Sequence, residues 1–357
     1  MIRLAISGTG TIAERAHIPA LMATPEFKIV ALQSRTIEKA RRVAGSFWPD
    51  AAARPNTYSD FRTMLAREKP DAVAILTPNH LHCEYTIAAL AAGAHVLCEK
   101  PMAPEVESAG RMTAAARASG KILIVAMQRR YGGIEAAVKR ALDAGAIGAP
   151  HFIRARLSHG GPQGWAPGQE WFTNAGQSGG GAMLDLGVHI ADLAIWYLGE
   201  IESVQGQVAT LAKPIGVEDT GVALVRFRSG AIGVLEASWS STPGLSAIEI
   251  YGTGGRIMIG YPRSDVSILR ADGTEAPGFS RAEIMAEFDP RDPLAPFRSL
   301  ARNFADAIAG RAAPHPDGID GLRAVEVIDA CYRSSQIGAS VKLPLQRPTG
   351  TIPATAR

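Results

Sequence analysis

Cysteine is almost absent from this chain. Cys83, Cys98 and Cys331 have neither the spacing of a zinc site nor the number needed for a disulfide framework. No metal centre is therefore expected, and a reducing, cytoplasmic setting is. Charge of one sign is also missing in excess: 37 Lys and Arg stand against 34 Asp and Glu, for a net +3. Aromatic residues make up only 6% of the chain and do not interleave with a basic run, so a nucleic-acid partner is not expected. The opening MIRLAISGTG has no charged segment followed by an apolar one, and no apolar run reads as long enough to span a bilayer. Neither export nor a membrane is implied. No internal repeat or low-complexity tract interrupts the sequence. What remains is an ordinary globular composition, 46% hydrophobic over 357 residues, long enough for two domains that each bury a core.

The first half alternates strand and helix. Ile2–Ser7 reads as a buried strand, followed by Gly8-Thr9-Gly10-Thr11-Ile12-Ala13 at a helix start. This is the G-x-G-x-x-G/A pattern of a dinucleotide site, in which glycines permit a tight turn and close approach of a pyrophosphate to backbone N–H groups. Its position after a strand and before a helix gives it weight that the glycines alone lack. Strands follow at Phe27–Leu32, Ala72–Leu76, His95–Cys98 and Ile122–Ala126, with helices at Cys83–Ala92 and Glu105–Ser119. That alternation predicts a doubly wound, mostly parallel sheet, whose ligands bind off the carboxyl ends of the strands. Thr77, Pro78, Asn79, Glu99, Lys100 and Gln128 all fall at such ends. Lys100 is open to two readings, a surface lysine or one that handles a proton beside a nicotinamide. His80 and His82 flank one residue without a carboxylate partner, which is a poor metal site.

An acidic residue normally holds the ribose 2′-hydroxyl of NAD at the end of the second strand. Here the segment reads Gln33-Ser34-Arg35-Thr36, with Lys39 and Arg42 beyond. Arginine can grip a 2′-phosphate bidentately, so NADP is expected in preference to NAD, with Ser34 and Arg35 as the contacts. The alternative is that Arg35 is a solvated loop residue and NAD binds all the same.

After Met127 the pattern changes. One helix, Ile134–Ala144, leads into segments that alternate with period two: His151–His159, Glu202–Leu211, Gly221–Phe227, Ala231–Ser240, Ser246–Tyr251 and Arg256–Ile259. Short turns between neighbours predict a large, open, mainly antiparallel sheet with one face covered by a helix and the other free for a subunit interface. Residues 160–178, rich in Gly and Pro and carrying Trp165, Gln169 and Trp171, read as a loop over the active site. Helices return at Phe297–Ala309 and Ile319–Ser335, and the tail from Pro344 reads as loosely ordered. The predicted division is 1–127 and 128–345, both α/β.

The stretch Gly179–Asp192, GGGAMLDLGVHIAD, joins a glycine run to a helix. Asp185 and His189 stand at i, i+4, and Asp192 three further on, spacings that stack side chains on one helix face. A carboxylate there would hold the imidazole and favour its charged form. The plainer reading is Asp185 near the positive end of a helix and His189 packed in a core.

These segments together resemble the glucose–fructose oxidoreductase, inositol dehydrogenase and rhizopine-catabolism (Gfo/Idh/MocA) family. The carriers are GTGTIA, TPNHLH, AGAHVLCEKPMA and GGGAMLDLGVHIADLAIWYLGE, with FADAIAG and DGIDGLRAVEVIDACYRSS near the C-terminus. The resemblance covers essentially the whole chain. It implies an N-terminal Rossmann domain, a C-terminal domain whose open sheet forms a homodimer or homotetramer, and NAD(P)-dependent oxidation or reduction of a sugar or polyol carbon. It identifies Lys100, Asp185 and His189 as the catalytic group, with a cis bond before Pro101. Thr77, Pro78, Asn79, His82, Glu99, Lys100 and Gln128 are expected on the cofactor side with Gly8–Ile12. Substrate contacts are expected from Arg129, Arg130, Tyr131, Trp165, Gln169 and Trp171 besides the catalytic three. Two other functions stay open: a relative that uses bound NAD transiently in a redox-neutral glycosidic reaction, and an NADP-binding regulatory protein.

Overall fold

Strands β1 (Ile2–Ser7), β2 (Phe27–Gln33), β3 (Asn56–Tyr58), β4 (Ala72–Ile75), β5 (His95–Cys98) and β6 (Leu123–Val125) pair in parallel in the order β3-β2-β1-β4-β5-β6. This is the doubly wound arrangement of a dinucleotide-binding domain, with its switch point between β1 and β4. The central strands are buried on both faces, which is why β4 reads AVAI without alternation. A computed structural model describes residues 1–260, 265–287, 289 and 291–345; most of the tail expected to be loose, from residue 346 on, lies outside the described residues.

The second sheet comprises β7 (Pro150–Ser158), β8 (Ile201–Ala209), β9 (Thr220–Phe227), β10 (Ile232–Ser238), β11 (Leu245–Gly252), β12 (Gly255–Ile259), β13 (Val266–Arg270) and β14 (Val341–Lys342). Their order is β13-β12-β11-β7-β10-β9-β8-β14. It is mainly antiparallel, but β7 lies between β11 and β10 and pairs with β10 in parallel. Sequence neighbours therefore do not all pair, as short turns had suggested. β3 and β14, of three and two residues, escaped the sequence reading because strands this short carry too few alternations to register, and β13 escaped it as well.

One face of this sheet alternates cleanly. On β9, Gly221, Ala223, Val225 and Phe227 are buried while Val222 and Leu224 look outward. The buried face packs under helices Val188–Leu198 and Gly318–Ile337. Helix Ala295–Ile308 crosses back to the first sheet, where Phe304 joins Leu4, Ile6 and Phe27 in one core cluster. The stretch Ala175–Leu198 is long and apolar enough to cross a bilayer by length and composition, contrary to the sequence reading. Its most apolar window is nevertheless 83% buried inside the fold, as core helices are.

Candidate active site

The carboxyl ends of β1, β2, β4 and β5 open onto a cavity of about 800 Å³ whose other wall comes from the second domain. At one end lies the turn Gly8–Ile12. Gly8 has φ 97°, and a Cβ there would meet the Leu76 carbonyl oxygen at 2.3 Å, so only glycine fits between the strands. Thr9 Oγ1 donates to Ser34 Oγ at 2.9 Å, tying this turn to the end of β2. Arg35 and Lys39 line the same cavity. Arg42 does not join them, because both its terminal nitrogens are held by Glu14.

Thr77, Pro78, Asn79, Glu99 and Gln128 line the middle of the cavity. Thr77 Oγ1 and Gln128 Oε1 are buried without a hydrogen-bond partner. Buried polar atoms are rarely left unpaired, and an amide-bearing dinucleotide would satisfy both, so the residues present fit a nicotinamide cofactor. His82 departs from expectation. It is fully buried, outside the cavity wall, with Nδ1 and Nε2 facing the carbonyl oxygens of Pro101 and Thr77 at 2.9 and 2.8 Å. It braces the loops that follow β4 and β5 and has no surface to offer a ligand.

Lys100 and Asp185 meet across the domain boundary. Lys100 Nζ donates to Asp185 Oδ1 at 2.6 Å and to the Asp185 carbonyl at 3.0 Å. Asp185 Oδ2 accepts the indole N–H of Trp239, at the end of β10, at 3.2 Å. The lysine backbone is fixed from behind: Glu99 Oε2 accepts its N–H at 2.8 Å, and Glu99 Oε1 lies 2.7 Å from buried His17 Nε2. The Lys100–Pro101 bond is cis, as expected.

His189 lines the cavity beside this pair, but not as the spacing suggested. The helix opens with a π turn, Met183–Gly187, which breaks the 3.6-residue period on which stacking of Asp185 over His189 relied. Asp185 instead commits both oxygens to Lys100 and Trp239. His189 Nδ1 is buried with no partner, and burial, reinforced by the charges of Lys100 and Arg129, holds the ring well below its ordinary range and neutral. Asp192 is further still from the expected role. Both its oxygens are gripped by Arg130, at 2.7 and 3.0 Å, in the protein interior.

The glycine run has its own cause. Glu218 accepts the N–H groups of Gly181 and Met183 at 2.8 and 3.0 Å, satisfying the orphan donors of the helix start. A Cβ on Gly181 would lie 1.9 Å from the Glu218 carbonyl oxygen.

Of the expected substrate contacts, Trp165 and Trp171 line the cavity. Tyr131 does not, because its hydroxyl donates to the His315 carbonyl. Arg130 is consumed by Asp192 and Asp320. Arg129 is also off the cavity wall, with Nη1 3.8 Å from Glu135, and burial pushes it down to about 10. Its charge reaches the site through space. All three lie on the short turn Gln128–Tyr131, and only Gln128 faces the cavity. Gln169 reaches the phosphate-binding turn instead of the substrate end, donating to Thr11 Oγ1 at 2.6 Å. Sequence reasoning missed Trp239 and His159, which line the catalytic end. Both follow the last residue of a strand in the second sheet, so the carboxyl-end argument used for the first sheet would have found them.

The residues match known families. Positions 2–127 match the oxidoreductase family with an NAD-binding Rossmann fold, and 136–258 match a Gfo/Idh/MocA C-terminal domain. The chain is 29% identical to a 1,5-anhydro-D-fructose reductase of Ensifer adhaerens, over 96% of this chain and 99% of that one. It is 27% identical to a D-glucoside 3-dehydrogenase of Escherichia coli, over 96% and 97%. The crystal structure of the WlbA dehydrogenase from Bordetella pertussis, in complex with NADH and UDP-GlcNAcA, superposes with a TM-score of 0.87 at 28% identity, covering 97% and 98%.

Proposed function

Because the chain belongs to the Gfo/Idh/MocA oxidoreductases, we propose that its cavity oxidises or reduces a secondary hydroxyl or carbonyl carbon of a sugar, inositol or related carbohydrate. The observation that carries this reading is the convergence of Lys100, Asp185 and neutral His189 at the end of a cavity that begins on the phosphate-binding turn. A nicotinamide cofactor bound there supplies the hydride acceptor or donor. In the oxidation direction, neutral His189 takes the hydroxyl proton, since an imidazole without a charge is ready to act as a base. Lys100 donates hydrogen bonds to the oxygen as negative charge develops on it. Asp185 keeps the lysine in place, and Trp239 keeps Asp185 in place. The aromatic side chains of Trp165 and Trp171 exclude water and offer flat faces to a sugar ring. A panel of sugars and inositols, followed by absorbance of the reduced cofactor, tests the reading. Consumption of a glycosidic substrate with no reduced cofactor would favour the redox-neutral alternative, and cofactor binding with no turnover the regulatory one.

The preferred cofactor is NADP(H). Arg35 and Lys39 stand where an acid would repel a 2′-phosphate. Arg35→Ala should weaken NADP binding by about 1.5 kcal/mol, at the low end for a charge-assisted contact because Arg35 is exposed. NAD binding should be unchanged. Titration of both cofactors into both proteins checks this, and equal losses would contradict the assignment.

The outer face of the second sheet is the proposed subunit interface, with the cytoplasm as the place of action. Val222, Leu224, Ile232 and Met258 are 37–53% exposed, and the ladder registers set Leu224 beside Val234 and Ile232 beside Phe152. Leu224→Asp should shift the protein toward monomer in sedimentation without loss of fold. An unchanged oligomer would place the interface elsewhere.

A further inference from the structure

The segment 160–178 leaves the end of β7, crosses the cavity and returns to the glycine run before Asp185. Its return is tied to the first domain. Asn79 Nδ2 donates to the Ser178 carbonyl at 2.8 Å, and His80 Nδ1 lies 3.2 Å from the Gln177 carbonyl. Its crown is built on rings: Phe172 stacks on Trp171 at 3.9 Å between centroids and meets Trp165 edge-on at 5.2 Å. That cluster fixes Gln169, whose Oε1 accepts the Trp171 indole N–H at 3.1 Å. The amide is therefore oriented, with its NH₂ toward the first domain. There it donates to Thr11 Oγ1 at 2.6 Å, and it lies 3.7 Å from where a Cβ on Gly10 would stand. Gly10 is the position that lets the backbone approach a pyrophosphate. The amide thus occupies the mouth of the pyrophosphate seat, in van der Waals reach of Gly10.

We propose that Gln169 is a pyrophosphate-binding residue delivered by the second domain, and that the segment carrying it latches the cofactor into the cleft. The proposal rests on the dinucleotide reading above. A neutral amide suits this position. One N–H can serve the Thr11 hydroxyl and the other a phosphate oxygen, whereas a carboxylate here would repel both phosphates. The cofactor then leaves only after the Gln169–Thr11 contact has broken, so its dissociation rate reports on the latch. Trp165 and Trp171 sit in the latch itself and provide its signal.

The test uses stopped-flow tryptophan fluorescence to follow release of NADPH from the whole protein, with adenosine 2′-monophosphate as a ligand that lacks both bridging phosphates. Gln169→Ala should speed NADPH release about 10-fold or more, and Gln169→Glu should speed it further. Neither variant should alter the affinity for the monophosphate or the melting temperature. Unchanged NADPH release in both variants overturns the proposal. So does equal weakening of the two ligands, which would mark Gln169 as a purely structural support for the loop. If the wild-type protein binds neither NADPH nor NADH, the dinucleotide reading itself is wrong and this inference falls with it.

Discussion

His189→Ala and Lys100→Ala should each lower kcat by about 100-fold or more on the true substrate with cofactor affinity close to wild type, and His189→Ala should leave the melting temperature close to wild type as well. The two losses have different origins. Without His189 no neutral base adjoins the substrate, and because the ring has no hydrogen-bond partner at Nδ1, its removal breaks no hydrogen bond made there. Without Lys100 the developing charge on oxygen loses its donor and Asp185 loses its counter-ion. The pH profile separates the histidine from a bystander. Burial and two nearby cations hold it well below 6.5. Oxidation by the wild type should therefore stay level as pH falls through 6.5 and decline only at lower pH, where the ring takes up a proton. A histidine of ordinary pKa in this role would give a decline centred near 6.5. Near-wild-type kcat in either variant would assign that residue to packing alone.

Asp192→Ala should act in the opposite sense, costing stability and sparing chemistry. Arg130 and Asp192 form a two-pronged pair in the interior, with Asp320 as a third member and Trp196 under the guanidinium at 5.5 Å. Burial pushes the Asp192 carboxyl up to about 6 against the pull of Arg130. Removing Asp192 leaves the buried Arg130 with Asp320 alone, which costs roughly 3 kcal/mol, the low end for breaking a buried pair. On a chain of this size that corresponds to a fall in melting temperature of about 4 °C. Replacing both partners with apolar residues, Asp192→Leu with Arg130→Met, should recover part of the loss, because the desolvation cost disappears with the charges. Differential scanning calorimetry on the three proteins checks this. A single variant as stable as wild type would mean that the pair contributes little.

These contrasts show what the sequence could and could not convey. The parallel sheet was legible because its fingerprint turn and its buried strands are local patterns, and the carboxyl-end rule then gathered Thr77, Asn79, Glu99, Lys100 and Gln128. The GGG…D…GVH segment pointed to the right place. It gave the wrong pairing, because a π turn shifts the helical phase and nothing in the composition of MLDLG announces one. Arg130 and Asp192 looked as available as Arg129 and Asp185. Only the tertiary fold decides which carboxylate finds Lys100 and which finds an arginine. The position of β7 within its sheet was illegible for the same reason: pairing across long sequence separations leaves no short-range trace.

The most direct test of the central claim follows a label. A substrate found in the carbohydrate panel is prepared with deuterium at the reacting carbon and incubated with the protein and oxidised cofactor, and the recovered cofactor is analysed by mass spectrometry. A hydride-transferring oxidoreductase predicts one deuterium per turnover on the reduced cofactor, and about a hundredth as much or less there in the Lys100→Ala or His189→Ala background at equal time. Product formed with the deuterium retained on carbon or lost to water, and with no reduced cofactor accumulating, would contradict it.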